Sequence, residues 1–270
     1  MSILQALILG IVQGVTELLP ISSSGHLAII PWLFGWINSP EFKISFEAFD
    51  VALHFGTLLA IGIFFFKDWL ALIKGGYEQV VKKKKSFEGK MFWYIVAATL
   101  PGGIIGLLLD KTIGNGIKEN YLLIGIALMV MGIILYVVDK NSKGKTKYEN
   151  MTFKQTFIIG VSQCLAFIPG VSRSGITMTT ARGMGIDRKS AAKYSFMLSA
   201  PIVLAATVLK IKDFAFGSIA FYVGVIASFL VGLVVIKFLL KYLQKGSFKV
   251  FAIYRIIFAI LIIIVYFFRT

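Results

Sequence analysis

Glu17, Ser22, Ser23, Ser24 and His26 crowd into ten residues of the otherwise apolar stretch QGVTELLPISSSGHLAII (13–30). A second patch, FIPGVSRSGIT (167–177), holds Ser172, Arg173, Ser174 and Thr177. Glu17 is the only acid in the first 40 residues. Buried without a fixed cation it would neutralise, so it reads either as a metal ligand or general base, or as a carboxylate that merely binds a serine or reaches the interface. Gln13 stands four residues earlier, on the same helical face; its amide oxygen suits a hard cation but cannot act as a base. Arg173 presents a planar fork of donors that fits a phosphate bidentately, the bland reading being a side chain that snorkels to the interface.

The serine run and Gly25 suit a helix start near His26, where hydroxyls cap orphan N–H groups. The same features make an anion site for phosphate, which Ser22, Ser24 and Gly25 would line from one patch and Ser172, Arg173, Ser174 and Thr177 from the other. At least one serine should only cap; another, Ser23, becomes a nucleophile if a base lies within reach. His26, three residues on, is near enough to serve as that base or as an acid, and is otherwise a structural hydrogen-bonding group. His54, in FDVALHFGTLLA, reads more readily as structural. Arg182, Arg188 and Lys189 look like cytoplasmic-face charge, and Asp50, Asp110 and Asp139 like solvated residues at run boundaries. One fork, two hydroxyl-rich helix starts, a histidine and a carboxylate point to phosphate processing; no Walker A motif is present, so nucleotide-driven transport is not indicated.

The elements that must position these groups belong to a membrane. The 270 residues are 57% hydrophobic and 15% charged, against about 45–50% and 25% in soluble domains. Apolar runs at about 44–66, 91–109, 121–138, 190–209, 216–236 and 250–268 approach the ~20 residues a spanning helix needs. They lack the alternation of barrel strands. The first 20 residues have no basic n-region and no small-residue cleavage site, so retention is expected. The formal charge of +15 lies mostly in lysine-rich loops, as in membrane proteins facing anionic lipid, and nucleic acid is not expected as a partner. A single cysteine, Cys164, excludes an internal disulfide and a cysteine-based zinc site.

Two apolar regions, roughly 2–37 and 153–187, are broken by the Pro/Gly/Ser patches. Backbone that leaves the helix at membrane depth must be buried in protein or line a wet cavity, and such pairs mark re-entrant hairpins in inverted repeats. A shift of 150 aligns Gln5, Ile8, Gly10, Gln13, Ser22, Ser24 and Gly25 with Gln155, Ile158, Gly160, Gln163, Ser172, Ser174 and Gly175 without a gap. The expected architecture is an all-α polytopic membrane protein with about six transmembrane helices, two re-entrant helix–loop–helix hairpins and an inverted internal repeat. Repeat 1 covers about 1–138, repeat 2 about 151–270, and 139–150 links them in the cytoplasm. Loops 67–90 and 237–249 should also be cytoplasmic, with 110–120 and both termini outside. The basic pair Lys210 and Lys212 fits its expected external loop poorly.

At these residues the chain resembles the bacterial undecaprenyl-diphosphate phosphatases associated with bacitracin resistance. Their motif (E/Q)-G-x-T-E-x-L-P-x-S-S-x-G-H is matched by QGVTELLPISSSGH, and P-G-x-S-R-S-x-x-T by PGVSRSGIT. The resemblance covers essentially the whole chain. It implies hydrolysis of undecaprenyl diphosphate to undecaprenyl phosphate and inorganic phosphate, supplying the lipid carrier for peptidoglycan and other envelope polymers. It carries importance onto Glu17, Ser22, Ser23, His26, Ser172, Arg173, Ser174 and Thr177. It further implies a divalent cation, Mg2+ or Ca2+, a bacterial plasma (inner) membrane location and a site reached from the outer face. The partners are then a polyprenyl diphosphate, the bilayer and, at most, a second copy in a homodimer. Many members have a glutamate where Gln13 stands, which places a two-carboxylate metal site at Glu17 and Gln13 in doubt.

Two versions of the chemistry stay open. In one, Arg173, helix-start N–H groups and a divalent ion clamp the diphosphate, Ser23 attacks, His26 takes its proton, and Glu17 holds the metal or orients His26. In the other, water attacks directly with Glu17 or His26 as base. The alternative function is a flippase or transporter of the polyprenyl phosphate carrier, since inverted repeats with broken helices also build transporters.

Overall fold

The structure is a computed structural model and describes residues 1–110 and 119–269. The expected external connection 110–120 lies almost wholly outside the described residues, as does the side chain of Asp110. Helices succeed one another as α1 (Ile3–Thr16), α2 (Ser23–Leu33), α3 (Pro40–Phe64), α4 (Phe66–Val81), α5 (Phe87–Asp110) and α6 (Tyr121–Asn141). They continue as α7 (Phe153–Ser162), α8 (Arg173–Gly183), α9 (Arg188–Lys210), α10 (Ile219–Tyr242) and α11 (Lys249–Arg269). No strand is formed among the described residues, only a single bridge between Thr146 and Ile186 that pins the connection after α6 to the start of α9.

Five of these helices, α5, α6, α9, α10 and α11, are long and apolar enough to cross a bilayer, and α3 with α4 forms a sixth candidate bent by 78°. That is the expected number of crossings. The outward side chains say what surrounds them. On α10, Ile219, Tyr222, Ile226, Leu230, Val234 and Phe238 recur every three or four residues and are all exposed. A soluble protein does not present so long an apolar stripe to water, so this face meets lipid.

One expectation is corrected. Residues 67–90 are not simply a basic loop, because they contain α4. Phe66, Leu70, Ile73, Tyr77 and Val80 form an exposed apolar stripe on it, while Leu72, Gly75 and Gly76 turn inward against α5. The glycine pair permits the approach: a Cβ on Gly75 would stand 2.7 Å from the backbone N of Gly89. The alternation of three- and four-residue spacings was the readable sign of this helix, masked by the lysines at both ends.

The positions matched by the 150-residue shift hold matched local structure. Gln5 and Gln155 each close a capping box, with Ser2 and Thr152 as the caps of α1 and α7. Gly10 and Gly160 lie where a helix crosses one from the other half, α1 on α10 and α7 on α5. A Cβ on Gly10 would fall 2.5 Å from Gly224 O, and one on Gly160 2.3 Å from Ala98 O. Small residues let these backbones meet, the means by which helices associate in lipid. Each half thus packs its first helix against the other half, while α6 packs against α11 and α3 against α9.

Candidate active site

Both apolar regions break where the serine patches stand. α1 ends at Thr16, residues 17–22 run irregularly, and α2 begins at Ser23; α7 ends at Ser162 and, after a short 3-10 turn (Gln163–Phe167), α8 begins at Arg173. The two starts are built alike. Ser22 (φ 77°) and Ser172 (φ 75°) hold the left-handed backbone that non-glycine residues rarely adopt. Each caps its helix, accepting from Gly25 N at 3.2 Å and from Gly175 N at 3.0 Å. Gly175 is required by packing, because a Cβ there would stand 2.6 Å from Arg255 Nη1.

The two breaks touch. Ser174 Oγ donates to Leu19 O at 2.9 Å. Arg173 Nη2 donates to Glu17 Oε1, joining the halves by an ion pair, and its Nη1 donates to Ser199 O at 3.2 Å. Glu17 Oε2 accepts from Ser23 Oγ at 2.5 Å and from Gln13 Nε2 at 3.2 Å, and lies 3.3 Å from His54 Nε2. Glu17 is buried, and so is Gln13.

Sequence reasoning paired Ser23 with His26, and the structure does not. The Ser23 hydroxyl goes to Glu17. His26 donates from Nδ1 to Ser22 O at 2.7 Å and accepts at Nε2 from the Tyr254 hydroxyl at 2.7 Å. Its ring stacks on Phe258 at 4.4 Å. The spacing of three does put Ser23 and His26 near one another on the helix, but the imidazole folds back over its own turn onto the Ser22 carbonyl.

Most of the expected phosphate-binding hydroxyls are engaged in structure. Ser22 and Ser172 cap, and Ser24 and Ser174 lie 3.3 and 3.2 Å from them. Thr177 Oγ1 donates to Arg173 O at 2.8 Å and sits 2.8 Å from Ser195 Oγ. What stays available is different. Among the described residues no acceptor bonds the backbone N–H groups of Ser23, Ser24, Arg173 and Ser174, the first two positions of each helix. Two of the five donors of Arg173 are used inside the protein. An anion has those groups to meet.

A divalent ion does not fit the two residues expected to hold it. Among the described residues no three His, Cys, Asp or Glu side chains gather to take a metal. Both Glu17 oxygens are occupied by donors, Arg173 among them, and Gln13 must turn its N–H side toward that carboxylate. Gln13 Oε1 is left buried without a partner among the described residues, as is Gln163 Oε1 in the other half. One lone amide oxygen beside a saturated carboxylate is not a coordination shell for Mg2+ or Ca2+.

Arg255 holds the site together and is a residue that sequence reasoning passed over. It sits in the first half of α11, wholly buried, and among the described residues no carboxylate pairs with it. Its guanidinium donates to Pro20 O at 3.2 Å in the first break, to Gly170 O at 2.8 Å and Val171 O at 3.0 Å in the second, and to Leu128 O at 3.2 Å. One cation therefore ties both irregular backbones together, meeting the carbonyls that leave the helix at membrane depth. The one sequence sign was an arginine deep inside an apolar run.

Three further expectations change. Asp139 is not solvated but buried, accepting from Arg182 Nε at 2.7 Å, Arg188 Nε at 2.9 Å and Phe248 N at 3.1 Å. Buried Arg182 and half-buried Arg188 are therefore parts of a clamp between the ends of α6 and α8 and the starts of α9 and α11. Asp50 lies beside His54, with Oδ1 at 3.5 Å from Nδ1. Lys189 lines the cavity of about 400 Å3 next to that clamp.

The sequence profile of the family described as bacitracin resistance protein BacA matches residues 6–261. The undecaprenyl-diphosphatase of Pelotomaculum thermopropionicum is 45% identical over 266 residues, covering 98% of this chain and 97% of that relative. That of Caldicellulosiruptor bescii is 45% identical over 274 residues and that of Moorella thermoacetica 42% over 271, each covering 100% of both chains.

Proposed function

The chain belongs to the bacitracin resistance protein BacA family, and from that membership we propose that the joined breaks are the centre at which it hydrolyses undecaprenyl diphosphate to undecaprenyl phosphate and inorganic phosphate. It is a multi-pass membrane enzyme acting on a lipid substrate. The observation that carries the site is the chain Ser23–Glu17–Arg173, in which a hydroxyl, its proton acceptor and a phosphate-binding fork come from both halves and meet in contact.

In this reading the diphosphate docks on the four open N–H groups and on Arg173, whose guanidinium stabilises charge on the transferred phosphoryl group. Ser23 Oγ attacks the terminal phosphorus and its proton passes to Glu17 Oε2. The bond from that phosphorus to the bridging oxygen breaks, and undecaprenyl phosphate leaves. Water then attacks the phosphoseryl phosphorus, the bond from phosphorus to Ser23 Oγ breaks, Glu17 returns its proton to that oxygen, and inorganic phosphate leaves with the oxygen and both hydrogens of the water. The hydrogen bond from Ser23 to Glu17 supports the serine as nucleophile, since it pairs the hydroxyl with a proton acceptor. Glu17 replaces His26 as the base. His26, held between Ser22 and Tyr254, shapes the start of α2. No step is routed through a divalent ion.

We place the protein in the bacterial plasma membrane, with the lysine-rich connections 139–150 and 237–249 in the cytoplasm and the substrate entering from the outer face. The asymmetry of lysines supports this orientation. The test is release of inorganic phosphate from a polyprenyl diphosphate by purified protein in detergent. Turnover is expected from the native chain and loss of at least a hundredfold from Arg173→Ala. A carrier of the monophosphate lipid alone would release no phosphate, and that result would overturn the reading.

A further inference from the structure

α3 adds to this site a side chain that the reaction just described leaves without a task. His54 Nδ1 lies 2.9 Å from Asp50 O, one turn earlier. A carbonyl oxygen only accepts, so Nδ1 carries a hydrogen and donates it. Nε2, at 3.3 Å, faces Glu17 Oε2, which again can only accept, so both nitrogens carry hydrogen and the ring is an imidazolium. The ring is thus oriented by its own helix and aims an N–H at the carboxylate oxygen that also receives Ser23. The helix beneath it packs closely on α10: two residues on, a Cβ at Gly56 would stand 2.6 Å from Val225 O.

We propose that His54 is a positioning residue for the phosphatase reaction, holding Glu17 Oε2 where it takes the proton of Ser23. The inference rests on the phosphatase reading above. Its logic is the division of labour around Glu17. Oε1 is held by Arg173, the one partner whose donors the incoming diphosphate claims. Oε2 is held by Gln13 and His54, which no phosphate oxygen needs to displace. As Arg173 turns to substrate, these two contacts keep the carboxylate from swinging away from Ser23. Of the two, only His54 comes from a different helix, and so it alone fixes Glu17 relative to the rest of the fold.

The experiment compares phosphate release by the full-length protein and its His54→Leu and His54→Gln variants in the same detergent. His54→Leu removes the N–H and should lower kcat by ten- to a hundredfold with KM changed less than threefold. His54→Gln keeps an N–H donor and should recover to within about fivefold of the native kcat, which a merely space-filling histidine would not predict. Native kcat in His54→Leu, or equal losses in both variants, would overturn the proposal. Should the leucine variant not fold, His54→Phe, closer in shape to the imidazole, replaces it with the same two readings. A native protein that releases no phosphate sinks the phosphatase reading instead, so the two failures are told apart.

Discussion

Replacing Glu17 with glutamine tests the centre of the site most sharply, because it changes one oxygen to an amide N–H2 and leaves the shape intact. In the native chain that carboxylate receives an ion pair from Arg173 and hydrogen bonds from Ser23 at 2.5 Å and Gln13 at 3.2 Å. The amide would bring a donor to a place where every neighbour already donates. Loss of a positioned base lowers turnover by about 10²–10⁴, equivalent to roughly 2.7–5.4 kcal/mol of barrier. Removing one partner of a buried ion pair costs about 3–5 kcal/mol, but Arg173 is partly exposed and finds a new partner in the diphosphate. Glu17 competes with substrate for that fork, and a competition worth about 1.4 kcal/mol would lower KM tenfold once removed. The expected signature of Glu17→Gln is therefore kcat down by two to four orders of magnitude with KM equal or lower, read by phosphate release over a range of lipid concentrations. A raised KM with native kcat would refute the argument, since that pattern marks uniform binding lost and would make Glu17 a substrate or metal ligand.

Arg255→Met leaves the carbonyls of Pro20, Gly170 and Val171 without their donor, each costing about 1–3 kcal/mol, but also removes an unpaired buried cation worth several kcal/mol. The two offset, so apparent Tm should move little while kcat/KM falls at least tenfold; a large drop in Tm with native turnover would contradict this. Gly160→Leu forces a side chain onto the Ala98 backbone and should abolish the monodisperse peak in gel filtration. Gly183→Ala, whose Cβ would have 3.6 Å to its nearest neighbour, should leave that peak unchanged.

The membrane architecture was legible because lipid imposes a length and a polarity that composition displays directly. The two breaks were legible because Pro, Gly and Ser in an apolar run have few other reasons to be there. The pairing of side chains was not. Ser23 could be assigned to His26 from spacing along one helix, whereas its actual partner depends on how residues 17–22 fold back, and six irregular residues carry no periodicity. Arg255 and His54 lie 235 and 37 residues from Pro20 and Glu17 along the chain, and only the packing of α11 and α3 brings them in. Asp139 looked solvated because it ends an apolar run. Its burial comes from Arg182, Arg188 and Phe248, three contacts no local pattern contains. α4 was hidden by lysines that flank its apolar stripe.

The same shift of 150 that aligns the capping serines sets Glu17 against Phe167, Ser23 against Arg173 and His26 against Ile176. The halves therefore keep what shapes a break, namely Ser22 with Ser172 and Gly25 with Gly175, and differ in what acts there. Electrostatics explains why. Where two like-built tips meet inside a low-dielectric layer, identical ionisable groups would face each other, two carboxylates or two guanidinium ions, and one of each pair would be driven neutral. Opposite groups instead pair at contact and hold both charges ready. Gln13 and Gln163 remain alike: each is buried, each keeps an Oε1 with no partner among the described residues, and only the first has a carboxylate four residues on to bond. In the proposed reaction one half supplies the nucleophile and its base and the other the phosphate-binding fork, so a single centre would arise where a symmetric pair of tips would offer only two incomplete ones.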